Sequence, residues 1–361
     1  MKKIGIILSL ILISLSTFLF ISCADGGSSL DCYYFKTGIH IETHDFNMSD
    51  DTQTKLKNLF SSLEKEFDIN DSKSTVYAFN NANVGDVFNL STHGRNVLLS
   101  SKNLYSFTDG LFDPSVYPLV ELWQFTKNYP VSEFNLPTDT QISTAINNVD
   151  FESAVFDQDL KTLTKTKDGV KLDFGGIVKG YAADKAAKIL KSAGHESGYI
   201  FIGGSSLYLL SVESLGIIHP KKATDGISIL SVKLNGKKNL SVSTSGDYEK
   251  FYERDGKIYS HLINPKTGYT ADTNVCSVTV IGADGAFSDA VTTAACLINH
   301  LPNDLESSPL QAFLLKILSE YPAASIYAIY DDGENKQVIT NQKQGENFTL
   351  LDTEYNVVNF N

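Results

Sequence analysis

Apolar and polar positions along the chain fall into blocks of different period. Residues 4–20 are an almost unbroken apolar run. From residue 33 to 43 the pattern alternates, with Ile39, Ile41 and Thr43 on one face, which predicts a first strand. Asp50 and Asp51 suit the first turn of a helix. Leu56, Leu59, Phe60, Leu63 and Phe67 then follow at helical spacing, a core-facing stripe. A polar, turn-rich segment at 72–83 leads to a second amphipathic helix over 95–107, closed by Asp109-Gly110. Phe112-Asp113-Pro114 reads as a turn and 117–123 as an apolar stretch whose Tyr117 and Trp123 belong to a core. Residues 128–140 read as a loop. The stretch 149–173 alternates around a turn at Lys167-Asp168-Gly169, which predicts a strand pair.

The second half repeats this mixture. Strand patterns occupy 198–210 and 215–220, and His219 is expected as a loop histidine. Residues 227–245 read as two strands in a hairpin about Asn235-Gly236. A buried strand at 277–281 precedes an apolar helix over 287–299, and another helix covers 309–319. A closing hairpin pairs 325–330 with 336–340 around Asp332-Gly333. Strands alternate with helices throughout and no boundary or repeat interrupts them. The expectation is one mixed α/β domain over residues 32–361.

Chemistry concentrates at 170–190. A short apolar strand enters Gly175-Gly176, and a helix follows with Tyr181, Ala182, Ala186, Ile189 and Leu190 at helical spacing. Glycines let a backbone or ligand approach closely. A helix N-terminus offers unpaired N–H groups to an anion, and Lys179 in the first turn adds a full charge. The pattern suits a phosphate. It also suits an ordinary strand-to-helix connection carrying a surface lysine, and these residues alone do not separate the two.

Composition narrows the partners. The 361 residues carry a net charge of −12, with 42% hydrophobic and 20% charged residues, as in globular proteins. An acidic chain disfavours nucleic acid as a partner. Lys2 and Lys3, the apolar run, and Phe20-Ile21-Ser22-Cys23 form a lipoprotein-type leader over residues 1–22. Phe20 stands where Leu is more usual. Cys23 is then the lipidated first residue of a flexible tether over 23–31, holding the protein to a membrane without a spanning helix. An uncleaved anchor helix is the competing reading. Cys32, Cys276 and Cys296 show no metal spacing. The last two sit in apolar patterns, where a buried free thiol is expected, and pairing among the three stays open.

Four ordered segments, DFGGIVKGY at 173–181, TSGDY at 244–248, SHLINPKTG at 260–268 and DAVTT at 289–293, together resemble the ApbE family of flavin transferases. The resemblance extends upstream to 108–123 and covers nearly the whole chain after the first thirty residues. It implies an α+β fold of two interleaved sheet subdomains related to the T-fold, with the site between them. It implies Mg²⁺-dependent transfer of FMN from FAD to a threonine hydroxyl of an acceptor protein, with AMP released. The metal ligands it implies are Asp289, Thr293 and the Val178 carbonyl. The flavin nucleotide would be lined by Asn80, Gly175, Gly176, Lys179, Gly203, Gly204, Ser205, Thr244, Ser245, Asp247, Tyr248 and His261. Ser205 stands where the family usually has Asp. His261, with Ser260 and Lys179, carries the catalytic expectation, since a histidine titrates near working pH. Related enzymes modify subunits of membrane redox complexes. The implied location is therefore a lipid anchor on a bacterial inner membrane, facing the periplasm.

Each residue also has a plain structural reading. Asn80 suits a turn, Asp289 a helix N-cap, Thr293 a core-facing helix position, and His261 a satisfied structural histidine. Asp184 suits an ion pair with Lys188 one turn on, or a flavin-ribose contact. Two other functions fit the same residues: Mg²⁺-dependent hydrolysis of FAD to FMN and AMP, and non-catalytic FAD binding by a surface lipoprotein. A transporter's substrate-binding lipoprotein is a weaker third.

Overall fold

The computed structural model describes residues 26–125, 135–254 and 256–360. The leader, Cys23 and part of the 128–140 loop lie outside them. Where one strand was expected, the chain makes a hairpin of β1 (Ser28–Tyr34) and β2 (Thr37–Thr43). The sheet therefore begins at Ser28, inside the stretch expected as a tether to residue 31. Phe35 and Lys36 make the two-residue turn with φ of 54° and 57°. That turn type needs positive φ at both positions, which glycine or asparagine usually supplies. For other residues it costs on the order of 1 kcal/mol each.

Helix α1 (Asp50–Phe67) starts at a Ser49 cap and buries the predicted stripe. After it come α2 (Thr75–Asn80), β3 (Val87–Asn89), α3 (Thr92–Phe107), α4 (Tyr117–Leu122) and α5 (Asp139–Ile146). The short strands β4 (Ala154–Phe156) and β5 (Thr162–Lys165) do pair, as expected for this stretch. They join through 157–161, however, where the Asp157 carboxylate accepts the N–H groups of Lys161 and Thr162. The turn at 167–169 comes after the pair. Strand β3 completes this three-stranded sheet.

Helix α6 (Val178–Ser192) runs into the hairpin of β6 (Gly198–Ile202) and β7 (Ser206–Ser211), then β8 (Ser214–Ile218), β9 (Ser228–Lys233) and β10 (Lys238–Gly246). Asn235 and Gly236 have positive φ, as the hairpin reading requires, yet β9 and β10 do not pair. Strand β9 lies between β8 and a later strand, while β10 pairs with β7. A small hairpin of β11 (Phe251–Arg254) and β12 (Lys257–Ser260) precedes β13 (Val275–Ile281), α7 (Gly285–Ala295) and α8 (Pro309–Glu320). The predicted closing hairpin is β14 (Ser325–Asp331) with β15 (Lys336–Thr340). Beyond the short strands β3, β11 and β12, the C-terminal strands β16 (Phe348–Leu350), on β9, and β17 (Asn356–Asn359), parallel to β15, were not foreseen.

The principal sheet has nine strands in the order β1-β2-β6-β7-β10-β13-β14-β15-β17. One face packs on α1, α6 and α7 through residues such as Ile41, Ile200 and Val280. The other packs on the β16-β9-β8 sheet through Leu209, Val242 and Ile329. Both faces being covered explains why β13 and β14 are buried at every position. His219 is not a loop bystander: it is buried, with Nε2 3.1 Å from Asp352. Cys32, Cys276 and Cys296 are all free thiols. No helix among the described residues is long and apolar enough to cross a membrane.

The segment leading to Gly175-Gly176, expected as a short strand, makes only an isolated bridge between Lys171 and Val116, and Asn80 at the end of α2 closes onto it. Its amide donates to the Leu172 carbonyl at 2.9 Å and accepts the Leu172 N–H at 2.6 Å. Asn80→Ala leaves both peptide groups buried and unpaired, at about 1–3 kcal/mol each. Urea unfolding should show a loss of roughly 2–4 kcal/mol. A loss below about 0.5 kcal/mol would show that this clamp does not hold the segment.

Candidate active site

Two glycines let α6 and α7 cross backbone to backbone. A Cβ on Gly180 would stand 2.0 Å from the Gly285 carbonyl oxygen, and one on Gly285 would stand 2.5 Å from that of Gly180. Asp289 lies one turn beyond Gly285, so it falls on the same face. Its carboxylate accepts the Gly180 N–H at 3.0 Å and the Ser206 hydroxyl at 3.1 Å. Asp289 is only 2% exposed; Lys179 acts on it electrostatically, but among the described residues no cation forms an ion pair with it. It is not the N-cap of α7; Asp284 is, accepting from Ala286 and Phe287.

Thr293 stands one turn further. Its hydroxyl donates to the Asp289 carbonyl at 3.1 Å and lies 3.1 Å from the Ser245 hydroxyl. The Gly176 peptide adjoins it, since a Cβ there would be 3.7 Å from Thr293 Oγ1. Val178 does not suit the carbonyl role. It opens α6, so its carbonyl points along the helix into the next turn. Among the described residues no group of three or more His, Cys, Asp or Glu side chains gathers to hold a metal.

These residues border a cavity of about 410 Å³. Its polar wall includes Asp173, Lys179, Glu249, Lys250 and His261, and its apolar wall includes Phe67, Phe112, Phe125 and Phe174. Burial alone would lower the pKa of Lys179, but Asp289, Glu249 and Asp173 outweigh it and hold the ammonium above its usual range. Burial lifts Asp173, and lifts Glu249 to about 7 against the pull of Lys179. Burial, with Lys250 and Lys179 nearby, pushes His261 down to about 4, so its ring is neutral at pH 7. His261 Nδ1 faces the Lys250 carbonyl at 3.3 Å. A carbonyl can only accept, so Nδ1 carries the proton and Nε2 is left as a base.

Of the expected residues, Gly175, Gly176, Lys179, Gly203, Ser205, Thr244, Ser245, His261, Asp289 and Thr293 line the cavity, as does the Val178 side. Five do not. Asn80 is spent on Leu172. Gly204 is at the exposed tip of the β6–β7 turn, with open space around it. Asp247 turns away: its N–H bonds the Cys276 carbonyl, and its carboxyl, lifted to about 6 by burial, answers to Lys221. The Tyr248 ring folds over Gly246, where a Cβ would meet it at 2.4 Å. Ser260 is 1% exposed and its hydroxyl is buried, which removes it from the catalytic set. Asp184 does not touch the cavity either; it bonds Ser241 and the Gly285 N–H. Asp173, Glu249, Lys250 and the Phe35-Lys36-Thr37 turn were missed. Asp173 opens the DFGG segment and Glu249 directly follows TSGDY, so the signal was adjacency to motifs already in hand.

A glycine-lined helix start with a lysine, a buried carboxylate in no ion pair, and a neutral imidazole suit an enzyme that moves a nucleotide-linked phosphoryl group. The ApbE family model matches residues 35–304, and the chain belongs to the ApbE family. Similar curated proteins include the FAD:protein FMN transferases of Klebsiella pneumoniae and Vibrio cholerae. The first is 28% identical over 235 residues, 65% of this chain and 72% of the relative. The second is 28% identical over 257 residues, 69% and 73%. Among solved structures, the ApbE protein of Thermotoga maritima matches with a TM-score of 0.71 and 25% identity, covering 85% of this chain and 95% of that one. The Vibrio cholerae flavin transferase ApbE also matches at 0.71, with 22% identity, covering 87% and 96%. The fold is thus the mixed α/β fold of these proteins.

Gly180→Ala should separate the α6 and α7 backbones, a strain of about 1–3 kcal/mol. We expect a thermal midpoint several degrees lower together with slower flavin transfer at temperatures where the variant is folded. Wild-type values of both would show that the crossing is not what seats Asp289.

Proposed function

We propose that the protein transfers FMN from FAD to a threonine hydroxyl of an acceptor protein in a Mg²⁺-dependent reaction. The FAD-to-protein transfer is that named for its curated relatives. The observation that carries the finer reading is Asp289: a buried carboxylate in no ion pair among the described residues, on the same cavity wall as Thr293 and the Gly176 peptide. Five acidic side chains line the cavity, Asp68, Asp113, Asp173, Glu249 and Asp289, against three lysines, 36, 179 and 250; Glu249, lifted to about 7, is only partly ionised at neutral pH, and the others still outnumber the lysines. A dianionic diphosphate is poorly received by that balance without a further cation.

Asp289, the Thr293 hydroxyl and the Gly176 carbonyl are hard oxygen donors, the set Mg²⁺ accepts while keeping waters and phosphate oxygens as further ligands. Bound there, the ion would neutralise charge on the diphosphate. Lys179 supplies a second positive group at the start of α6. His261 Nε2 takes the proton of the attacking hydroxyl. The hydroxyl oxygen forms a bond to the FMN-side phosphorus, the bond from that phosphorus to the bridging oxygen breaks, and AMP leaves with the bridging oxygen. Water in place of the hydroxyl gives FMN and AMP by the same groups. We place the protein on a bacterial membrane through lipid at Cys23, where subunits of membrane redox complexes are the acceptors in reach.

The test is incubation of the purified protein with FAD, Mg²⁺ and a threonine-bearing acceptor domain of such a complex, reading intact mass and AMP. An FMN-sized mass gain abolished by EDTA supports the transferase. FMN and AMP released without any gain on the acceptor favour hydrolysis, and intact bound FAD favours storage. Asp289→Asn should slow turnover on the order of a thousandfold, with the circular dichroism spectrum unchanged. Full activity in that variant would remove the metal assignment.

His261 also sets a pH dependence. Because its pKa is lowered, the base form persists below the usual histidine range. The ratio of wild-type to His261→Asn rates should stay flat from pH 8 to about 5 and fall only toward pH 4. A ratio that halves near pH 6.5 would mean the ring is not desolvated as the structure has it.

A further inference from the structure

We propose that Lys36 is a second cation for the diphosphate of the bound dinucleotide, held at the cavity by a strained turn; this rests on the cavity being an FAD site. Lys36 is exposed and lines the same cavity as Lys179. No carboxylate pairs with it among the described residues, whereas Lys179 has Asp289, Glu249 and Asp173 around it. Gly203 lies between the two lysines' segments. A Cβ there would meet Thr37 at 3.0 Å and Lys179 Cδ at 3.4 Å. One anion above Gly203 could therefore face both ammonium groups.

The conformation at Lys36 is unusual for its residue type, and its surroundings impose it. The neighbouring three-residue turn at the same end of the sheet, between β6 and β7, uses Gly203 and Gly204 at φ of 63° and 80°. Phe35 and Lys36 adopt similar angles without glycine's freedom. The Phe35 N–H donates to the Glu64 carboxylate at 3.0 Å, and its ring stands edge-on to Phe60. The Gly203 N–H donates to the Gly38 carbonyl at 3.0 Å just after the turn. Anchored on both sides, the turn keeps a left-handed backbone at Lys36 whatever residue stands there. Strain retained at a ligand cavity, where glycine would relieve it, points to a use for the side chain. The side chain offers only an aliphatic stem and an ammonium group, and the ammonium matches a phosphate oxygen.

The test measures FAD affinity by flavin fluorescence in the full protein with Mg²⁺, at several salt concentrations. Lys36→Met should weaken FAD about tenfold and flatten the salt dependence, while Lys36→Arg should restore affinity. Lys36→Gly should separate the two roles of the residue. It should raise the thermal midpoint by a few degrees by relieving strain, and weaken FAD as Lys36→Met does. If Lys36→Met binds FAD as tightly as wild type, or Lys36→Arg is no better than Lys36→Met, the inference falls while the FAD-site reading stands. If the wild type binds no FAD, both fall.

Discussion

The contact between Gly180 and Gly285 governs the site, because it removes all side-chain thickness between α6 and α7 where they cross. With the two backbones touching, the carboxylate one turn along α7 is carried into the N-terminal turn of α6. There it meets an unpaired N–H and the positive end of a helix dipole. Burying an isolated carboxylate costs several kcal/mol. The Gly180 N–H and the Ser206 hydroxyl each return about 1.5–3 kcal/mol as bonds to a charged group, which offsets part of that cost. The remaining demand is for positive charge, and Lys179 meets it only at a distance. A site built this way holds its carboxylate in place without an ion pair to neutralise it.

Burial sets the protonation of most other groups in the cavity, and the lysines modulate it. Lys179 is kept charged by three carboxylates. With Lys250 it adds to burial in holding His261 neutral, and it tempers the rise of Glu249, which still reaches about 7. Acid, base and cation are therefore differentiated by position rather than by residue type. One imidazole becomes a base because it is buried, two lysines stand beside it, and its Nδ1 is committed to a carbonyl.

The parts legible in the chain were the local ones. The α1 stripe, the α7 and α8 patterns and the β14–β15 hairpin depend on neighbours a few residues away. Asn235-Gly236 shows where that ends: the turn is real, but the strands it joins lie in different sheets. Pairing is decided by what covers each face, and residues 228–246 do not state it. β17 runs parallel to β15, so no local turn signal could announce their pairing. In the site, a contiguous motif was read as a contiguous surface. Ser260 and His261 follow one another out of a strand, where successive side chains point to opposite sides. Only His261 faces the cavity. Asp247 and Tyr248 follow the end of β10 and turn away in the same fashion. Asn80 was read as touching ligand when its amide geometry matched a peptide, and an amide that satisfies both ends of one peptide has nothing left to offer.

The cavity joins two structures of different origin. The side that carries Asp289 and Lys179 comes from the start of α6 and its crossing with α7, whose closeness depends on glycines that are missing side chains. Its opposite wall is the end of the nine-stranded sheet, where the β1–β2 and β6–β7 turns lie side by side because β2 pairs with β6. Gly203 yields space to Thr37 and Lys179 together, so the two sides meet at a residue with no side chain of its own. A ligand long enough to touch both must present negative charge at the helix starts and again at the sheet end. A diphosphate flanked by two ring systems has that shape, with apolar walls at Phe67, Phe112, Phe125 and Phe174 left for the rings. A lone phosphate would satisfy the helix starts and leave those walls facing water, so the cavity as a whole argues for the larger ligand.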